Sequence, residues 1–170
     1  SWFGDEVTPK QFKADLDALG DVKELDIYIN SGGGDVFAGI AIYNILKRHE
    51  AHKTVYVDGL AASIASVIAM AGDRIVMPGN AMMMIHNPWT FAMGNRVKLR
   101  KIADEMEKID GMIAGTYATR SSKTDMDFPA LMDAETWFTA EEALDAGLAD
   151  EVEESKKLAA SIDGGFLNMN

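Results

Sequence analysis

The 170-residue chain is 48% hydrophobic and carries 16 Lys and Arg against 27 Asp and Glu, a net charge of −11. That length and balance set one sizeable core, exclude a disordered protein, and repel nucleic-acid phosphates and anionic lipid surfaces. Cysteine is absent and histidine occurs only at His49, His52 and His86, which excludes disulfides, thiolate nucleophiles and sulfur-ligated metal centres, and speaks against a multi-histidine metal site.

No apolar run approaches the ~18–20 residues that span a bilayer, and Ser1-Trp2-Phe3-Gly4-Asp5 has neither the basic nor the apolar region of a signal peptide. The expectation is a soluble cytoplasmic protein. Along the chain, Leu25 to Asn30 (LDIYIN) is β-branched and aromatic and ends in Ser31-Gly32-Gly33-Gly34-Asp35, a strand entering a tight turn. Val36 to Arg48 is apolar over more than one face and predicts a helix packed on two sides. Thr54 to Val57 predicts a strand broken at Gly59, and the small-residue run Ala61 to Ala71 a buried helix. Arg74 to Met77 and Ala81 to Ile85 are two more strands joined through Pro78-Gly79-Asn80, with His86 at the end of the second. This alternation is that of a layered α/β domain whose functional groups gather at strand ends.

Gly94 to Arg120 differs in character, with Leu99, Ile102, Met106, Ile109 and Ile113 spaced by threes and fours. It predicts one amphipathic helix of roughly 40 Å, longer than a domain of this size needs. Pairs four apart, Arg100 with Asp104, Lys101 with Glu105 and Asp104 with Lys108, decorate its polar face. Such a helix either projects and buries its stripe on another subunit, or folds back on its own sheet. Beyond it come a short helix from Asp127 to Met132, the stretch Asp133 to Phe138, a helix opened by the capping box Thr139-x-x-Glu142 and stopped by Gly147, and a last strand, Leu148 to Val152. Nine acidic residues and no Lys or Arg lie between Asp133 and Ser155, read as a solvated acidic face. The tail from Ser155 to Asn170 is rich in Gly, Ser and Asn, and a contact through Phe166 or Leu167 is expected to hold it.

Hydroxyl, imidazole and carboxylate groups are therefore the available catalysts. Ser63 begins a helix directly after a strand and Gly59, where a serine is ordinarily an N-cap, but where its hydroxyl also stands at a strand end beside helix amides able to stabilise an oxyanion. Its alanine flanks are not those of the Gly-x-Ser-x-Gly elbow. His86, after an apolar run, is the better candidate base; His49 and His52 lie in the polar stretch Lys47 to Lys53 and are expected in solvent. The glycine turn lacks the Lys-Ser/Thr of a phosphate loop, but could bring an amide close to a substrate carbonyl.

Taken in order, INSGGGD at Ile29–Asp35, DGLAAS at Asp58–Ser63, MMIHNP at Met83–Pro88 and TWFTAEEALDAGLAD at Thr136–Asp150 resemble the signature blocks of the ClpP serine peptidases. The resemblance runs from about Asn30 to Asp150 and is closest to the ClpP-like peptidases of phages and prophages, the head-maturation or prohead proteases. It implies a crotonase-like ClpP fold of repeated β-β-α units with a long handle helix, at about 94–120, used for assembly. Residues 1–154 then form a single peptidase domain and 155–170 a tail.

By the same resemblance Ser63 is the nucleophile, His86 the general base, and the backbone amides of Gly34 and Ile64 the oxyanion hole. The family's aspartate position is occupied here by Glu135, which is preferred as the third member, with Asp133 as second choice. Gly32 stands where the family usually has proline, which loosens the turn. The chain also begins late relative to the family pattern, where an N-terminal strand and axial-pore segment would already have passed. The implied activity is peptide-bond hydrolysis through an acyl-enzyme, ATP-independent in itself and without metal or cofactor. The implied partners are a polypeptide substrate, further copies in a ring or stacked rings, and an unfoldase if one exists; neither nucleic acid nor membrane is expected. Capsid or scaffold processing rests on the resemblance alone. Two alternatives stand beside it, a catalytically silent assembly subunit and a crotonase-fold acyl-CoA enzyme using the same glycine-turn amides.

Overall fold

In the structure, a computed structural model that describes residues 7–153, strands and helices interleave along the chain. In order they are α1 (Pro9–Ala18), β1 (Glu24–Ser31), α2 (Val36–Arg48), β2 (His52–Ala62), α3 (Ile64–Ala69), β3 (Arg74–Pro78), β4 (Met82–Ile85), α4 (Arg96–Ser121), α5 (Phe128–Asp133), β5 (Thr136–Thr139), α6 (Ala140–Asp145) and β6 (Glu151–Glu153). The tail from Ser155, with the contact expected of Phe166 or Leu167, lies outside the described residues.

Strand β2 is the axis of the sheet. β1 runs parallel along one edge, Ile27 opposite Val55 and Ser31 opposite Ala61, with a register shift between Ile29 and Ser31. The other edge is shared in succession by β3, at Thr54–Tyr56, and β4, at Leu60–Ala62. β6 continues the parallel sheet beyond β3, and β5 closes the far side antiparallel to β4. This change of partner corrects the expected break at Gly59: the strand runs on to Ala62 and the helix begins only at Ile64, not Ala61. The approach is close at Gly59, where a Cβ would stand 3.0 Å from Asn30 Oδ1 beside the register shift and the Asn30 side chain would have to give way.

Helix boundaries follow from caps. Asp35 accepts from the Ala38 amide at 2.7 Å and starts α2, which packs between α1 and α3, as its two apolar faces predict. Helix α1, capped by Thr8 with Pro9 at its first position, has no counterpart in the sequence reading; only Leu16 of it is buried. The capping box at Thr139 and Glu142 forms, and the Thr139 amide holds the Glu142 carboxyl below its usual range. The last strand starts at Glu151 rather than Leu148, because the Leu148 and Ala149 amides are both spent on the Ala143 carbonyl, closing the C-terminus of α6.

Helix α4 is 26 residues long, ~39 Å. Its second half is anchored: Ile113, Ala114, Tyr117 and Ser121 are buried, and Ser121 Oγ donates to the Ala146 carbonyl at 2.6 Å. Residues Arg96 to Lys101 are exposed throughout, so the first half projects from the sheet. Of the three expected pairs along it only Lys101 with Glu105, at 3.7 Å, is within ion-pair distance among the described residues. The polar stretch before β2 is also less solvated than expected. His49 is half-buried and accepts from the Ala51 amide, while Lys53 is buried, its ammonium bonded to the Ala51 and His49 carbonyls and to Asp73.

Candidate active site

Ser63 is the single residue between β2 and α3, and its backbone is left-handed, with φ 54° and ψ −131°. A non-glycine residue there costs about 1–3 kcal/mol, so the surroundings must impose it. They do so through both peptide groups: the Ser63 amide donates to the Met84 carbonyl at 2.9 Å, and the Ser63 carbonyl accepts from the Ser66 amide and from Ser66 Oγ at 2.5 Å. In this conformation the side chain makes no capping bond. The ordinary role of a serine before a helix is unfilled, and Oγ stands 2.8 Å from Nε2 of His86.

His86 follows β4, whose parallel pairing with β2 sets Ala62 opposite Met84. The two strand ends thus carry serine and imidazole to the same place. Its ring is 17% exposed, and Nδ1 faces Oε2 of Glu135 at 3.7 Å. Glu135 arrives by the antiparallel ladder on the other side of β4: Ile85 pairs with Thr136, so the residue after one strand meets the residue before the other. It too is left-handed, at φ 49°, and its carboxylate is 59% exposed. Asp133 is held elsewhere, accepting from Asn87 Nδ2 at 2.6 Å. Ser63, His86 and Glu135 are therefore adjacent, with the last contact longer than a hydrogen bond, and Asp133 is tied to the residue after the histidine.

The glycine turn faces this group. Gly32, Gly33, Gly34, Val36 and Trp89 join Ser63, Met84, His86 and Pro88 around an open cleft of about 440 Å³. Gly33, at φ +101°, lies so close under the serine that a Cβ would come within 2.7 Å of Ser63 Cβ. Among the described residues, neither the Gly34 nor the Ile64 amide donates in the turn and cap hydrogen bonds. Sequence reasoning missed Tyr117, four residues past Ile113 on the α4 stripe. Its hydroxyl meets Ser66 Oγ at 2.8 Å in the buried interior, and burial pushes its phenol pKa up, keeping it neutral. It also missed Asn87, whose bond to Asp133 depends on a turn between α5 and β5 that no local pattern announces. Among the described residues no group of three or more His, Asp or Glu is placed to hold a metal ion, and no helix is long and apolar enough to cross a membrane.

A mostly parallel α/β sheet with a serine and an imidazole in contact at neighbouring strand ends, beside glycine amides, is a layout suited to acyl transfer. Residues 10–156 match the family model described as Clp protease. Similar proteins include the ATP-dependent Clp protease proteolytic subunits of Bacteroides fragilis, 34% identical over 140 residues, covering 81% of this chain and 67% of that protein, and of Ligilactobacillus salivarius, 35% identical over 145 residues, 84% of this chain and 73% of that one. The Bacteroides thetaiotaomicron protein of the same description is 36% identical over 141 residues, 81% and 63%. The chain thus spans 63% to 73% of the length of these relatives. It belongs to the Clp protease family, and its α/β architecture with a long projecting helix is that of the ClpP fold.

Proposed function

We propose that this chain is a serine-type endopeptidase, and the observation that carries the reading is the 2.8 Å contact between Ser63 Oγ and His86 Nε2, made by a strained serine freed from capping. Ser63 Oγ attacks the scissile carbonyl while its proton passes to His86 Nε2 and the carbonyl π electrons move to oxygen. The amides of Gly34 and Ile64 receive that oxyanion. Collapse breaks the C–N bond, and His86 gives its proton to the departing amine. A water deprotonated by His86 then cleaves the ester and restores Ser63. Glu135 stabilises the imidazolium through Nδ1; its 3.7 Å separation needs to close by about 1 Å for a charge-assisted hydrogen bond.

Mass spectrometry after treatment with a fluorophosphonate tests this. Wild type should gain one adduct at Ser63, Ser63→Ala none, Asp133→Asn about as much as wild type, and Glu135→Gln should react up to about 10⁴ times more slowly, the order lost when a triad carboxylate is neutralised. Adducts that persist in Ser63→Ala would sink the mechanism. A second reading, a catalytically silent assembly subunit, draws on the exposure of Glu135 and its distance from His86, and an unreactive wild type would favour it.

The finer reading is a phage- or prophage-type enzyme that works in the cytoplasm on capsid or scaffold polypeptides. The four sequence blocks support it, and cleavage of head proteins encoded beside the gene is its check. Further copies pack through α4, whose projecting half leaves Val97 and Leu99 exposed. Whether an unfoldase feeds the assembly is tested by adding Clp-type ATPase and ATP to a folded substrate.

A further inference from the structure

Six helices begin within the described residues, and five of them are capped in one way: the side chains of Thr8, Asp35, Asn95, Asp127 and Thr139 each accept from the amide three residues on. Ser63 is the exception. The amide it would take as a cap belongs to Ser66, and that amide donates instead to the Ser63 carbonyl at 3.0 Å. Two arrangements of the turn therefore compete for one N–H. In the capped one, Oγ would turn to the Ser66 amide and away from the imidazole. In the observed one the carbonyl takes the amide, the backbone is held at φ 54°, and Oγ stays 2.8 Å from His86 Nε2.

The amide alone does not decide between them, since it can serve either acceptor. The Ser66 side chain does. Its Oγ lies 2.5 Å from the Ser63 carbonyl oxygen, and a carbonyl only accepts, so the single hydroxyl hydrogen of Ser66 is committed there. The Tyr117 hydroxyl, 2.8 Å from the same Oγ, is then the donor to it. Burial holds that phenol in its protonated, donating form. With Ser66 fully buried and Tyr117 1% exposed, water does not compete for either bond, and each donor polarises the next along the line from α4 to the Ser63 carbonyl.

Granting the peptidase reading, we infer that Ser66 is a positioning residue for the nucleophile: its hydroxyl, aligned by Tyr117, holds the Ser63 carbonyl and so keeps Oγ out of the helix cap and on His86.

Three variants separate positioning from mere stability. Ser66→Ala deletes the hold but strands the buried Tyr117 hydroxyl, Tyr117→Phe keeps the hold and loses its alignment, and the double variant deletes both hydroxyls and strands neither. Denaturant midpoints are measured for each beside wild type, with the rate of fluorophosphonate labelling at Ser63 read by intact mass across pH. The midpoint should fall in Ser66→Ala and recover in the double variant. Labelling should instead be slowed about 10- to 100-fold in both, the penalty of a misplaced reacting group, and less in Tyr117→Phe. Only the plateau of the pH profile should drop, its midpoint staying where His86 and Glu135 set it. A double variant labelled as fast as wild type overturns the inference, and so does a labelling rate that follows the denaturation midpoint through the series or a loss explained by a shifted pH midpoint. If Ser66→Ala does not fold, the double variant against wild type decides alone. Labelled wild type with an equally fast double variant sinks only this inference; an unlabelled wild type sinks the peptidase reading and the inference with it.

Discussion

Asp110 carries an unfavourable electrostatic load on α4. One carboxylate oxygen is buried without a hydrogen-bond partner among the described residues, and burial, then Asp133 across on α5 and Glu107 one turn back, push its pKa above 3.8. A carboxyl whose folded pKa is raised opposes folding only when it is charged. Its cost is therefore absent below the unfolded pKa, grows as pH rises through the folded pKa, and is complete above that value. Asp110→Asn should raise stability at pH 7 by at least the ~0.2–0.5 kcal/mol of a like-charge pair on one helix face, and the gain should shrink toward zero near pH 4. Denaturant midpoints of both proteins at the two pH values check this, and equal midpoints at pH 7 would show that the load is not felt. The same scale shows what the sequence could disclose. Only His86 is placed at a strand end by the sequence; Ser63 falls inside the run read as a helix and Glu135 in the unassigned stretch Asp133 to Phe138, and it is the pairing of β2 and β5 with β4 that puts them at strand ends. What the serine does there depends on φ 54° and on carbonyl and amide bonds to Ser66 and Met84, which spacing cannot reveal. The acidic run is similar: Glu142 caps α6, Asp150 accepts from the Ile75 amide and pairs with Arg120, and Glu151 pairs with Arg74. Carboxylates that read as solvated thus fasten the second half of the chain to the sheet.

At the scale of elements, the nucleophile's position is set by how closely α2 approaches α3. Gly39 makes that approach possible, because a Cβ there would fall 2.2 Å from Ile64 Cγ1, well inside contact distance. Ile64 is the first residue of α3 and neighbours Ser63, so crowding at Gly39 is transmitted directly to the serine. Gly39→Ala should cost about 1–3 kcal/mol, as overpacking does, and slow fluorophosphonate labelling by up to 10²-fold, the penalty of a misplaced reacting group. Adding Ile64→Ala should restore much of both, seen as recovery of the denaturation midpoint and the labelling rate together; a double mutant no better than Gly39→Ala would refute the packing argument. Elements with a strong period or a cap, α2, α4 and α6, were legible to within one or two residues of their ends. β2 was not, since its continuation past Gly59 is a consequence of pairing with β4, and β6 was misplaced because α6 claims the amides of Leu148 and Ala149. Helix α1 has too little buried surface for a hydrophobic stripe to mark it.

For the whole molecule, the proposed assembly through the apolar stripe of α4 has to work against a charge of −11 on every chain. Trp89, Phe91, Met93, Val97 and Leu99, just before and at the start of α4, are all exposed, with Trp89 and Phe91 packed edge to face, a run of large apolar side chains of the kind that marks an interaction site. Burying it against further copies gains at ~25 cal/mol per Å², but brings like-charged chains together. Apolar burial is not weakened by salt, whereas the repulsion falls as the Debye length shrinks from about 10 Å at 0.1 M to about 3 Å at 1 M. Assembly through α4 should therefore strengthen as salt rises, the reverse of an interface made of ion pairs. Sedimentation velocity at 0.1 M and 1 M sodium chloride separates these cases. Wild type is expected to shift toward larger species at the higher salt, whereas Leu99→Glu combined with Ile102→Glu, on the projecting half and away from the core, should stay monomeric in both without loss of helical circular dichroism. A wild-type monomer at both concentrations would remove assembly through α4. A multimer that dissolves as salt rises would assign the interface to charged residues instead.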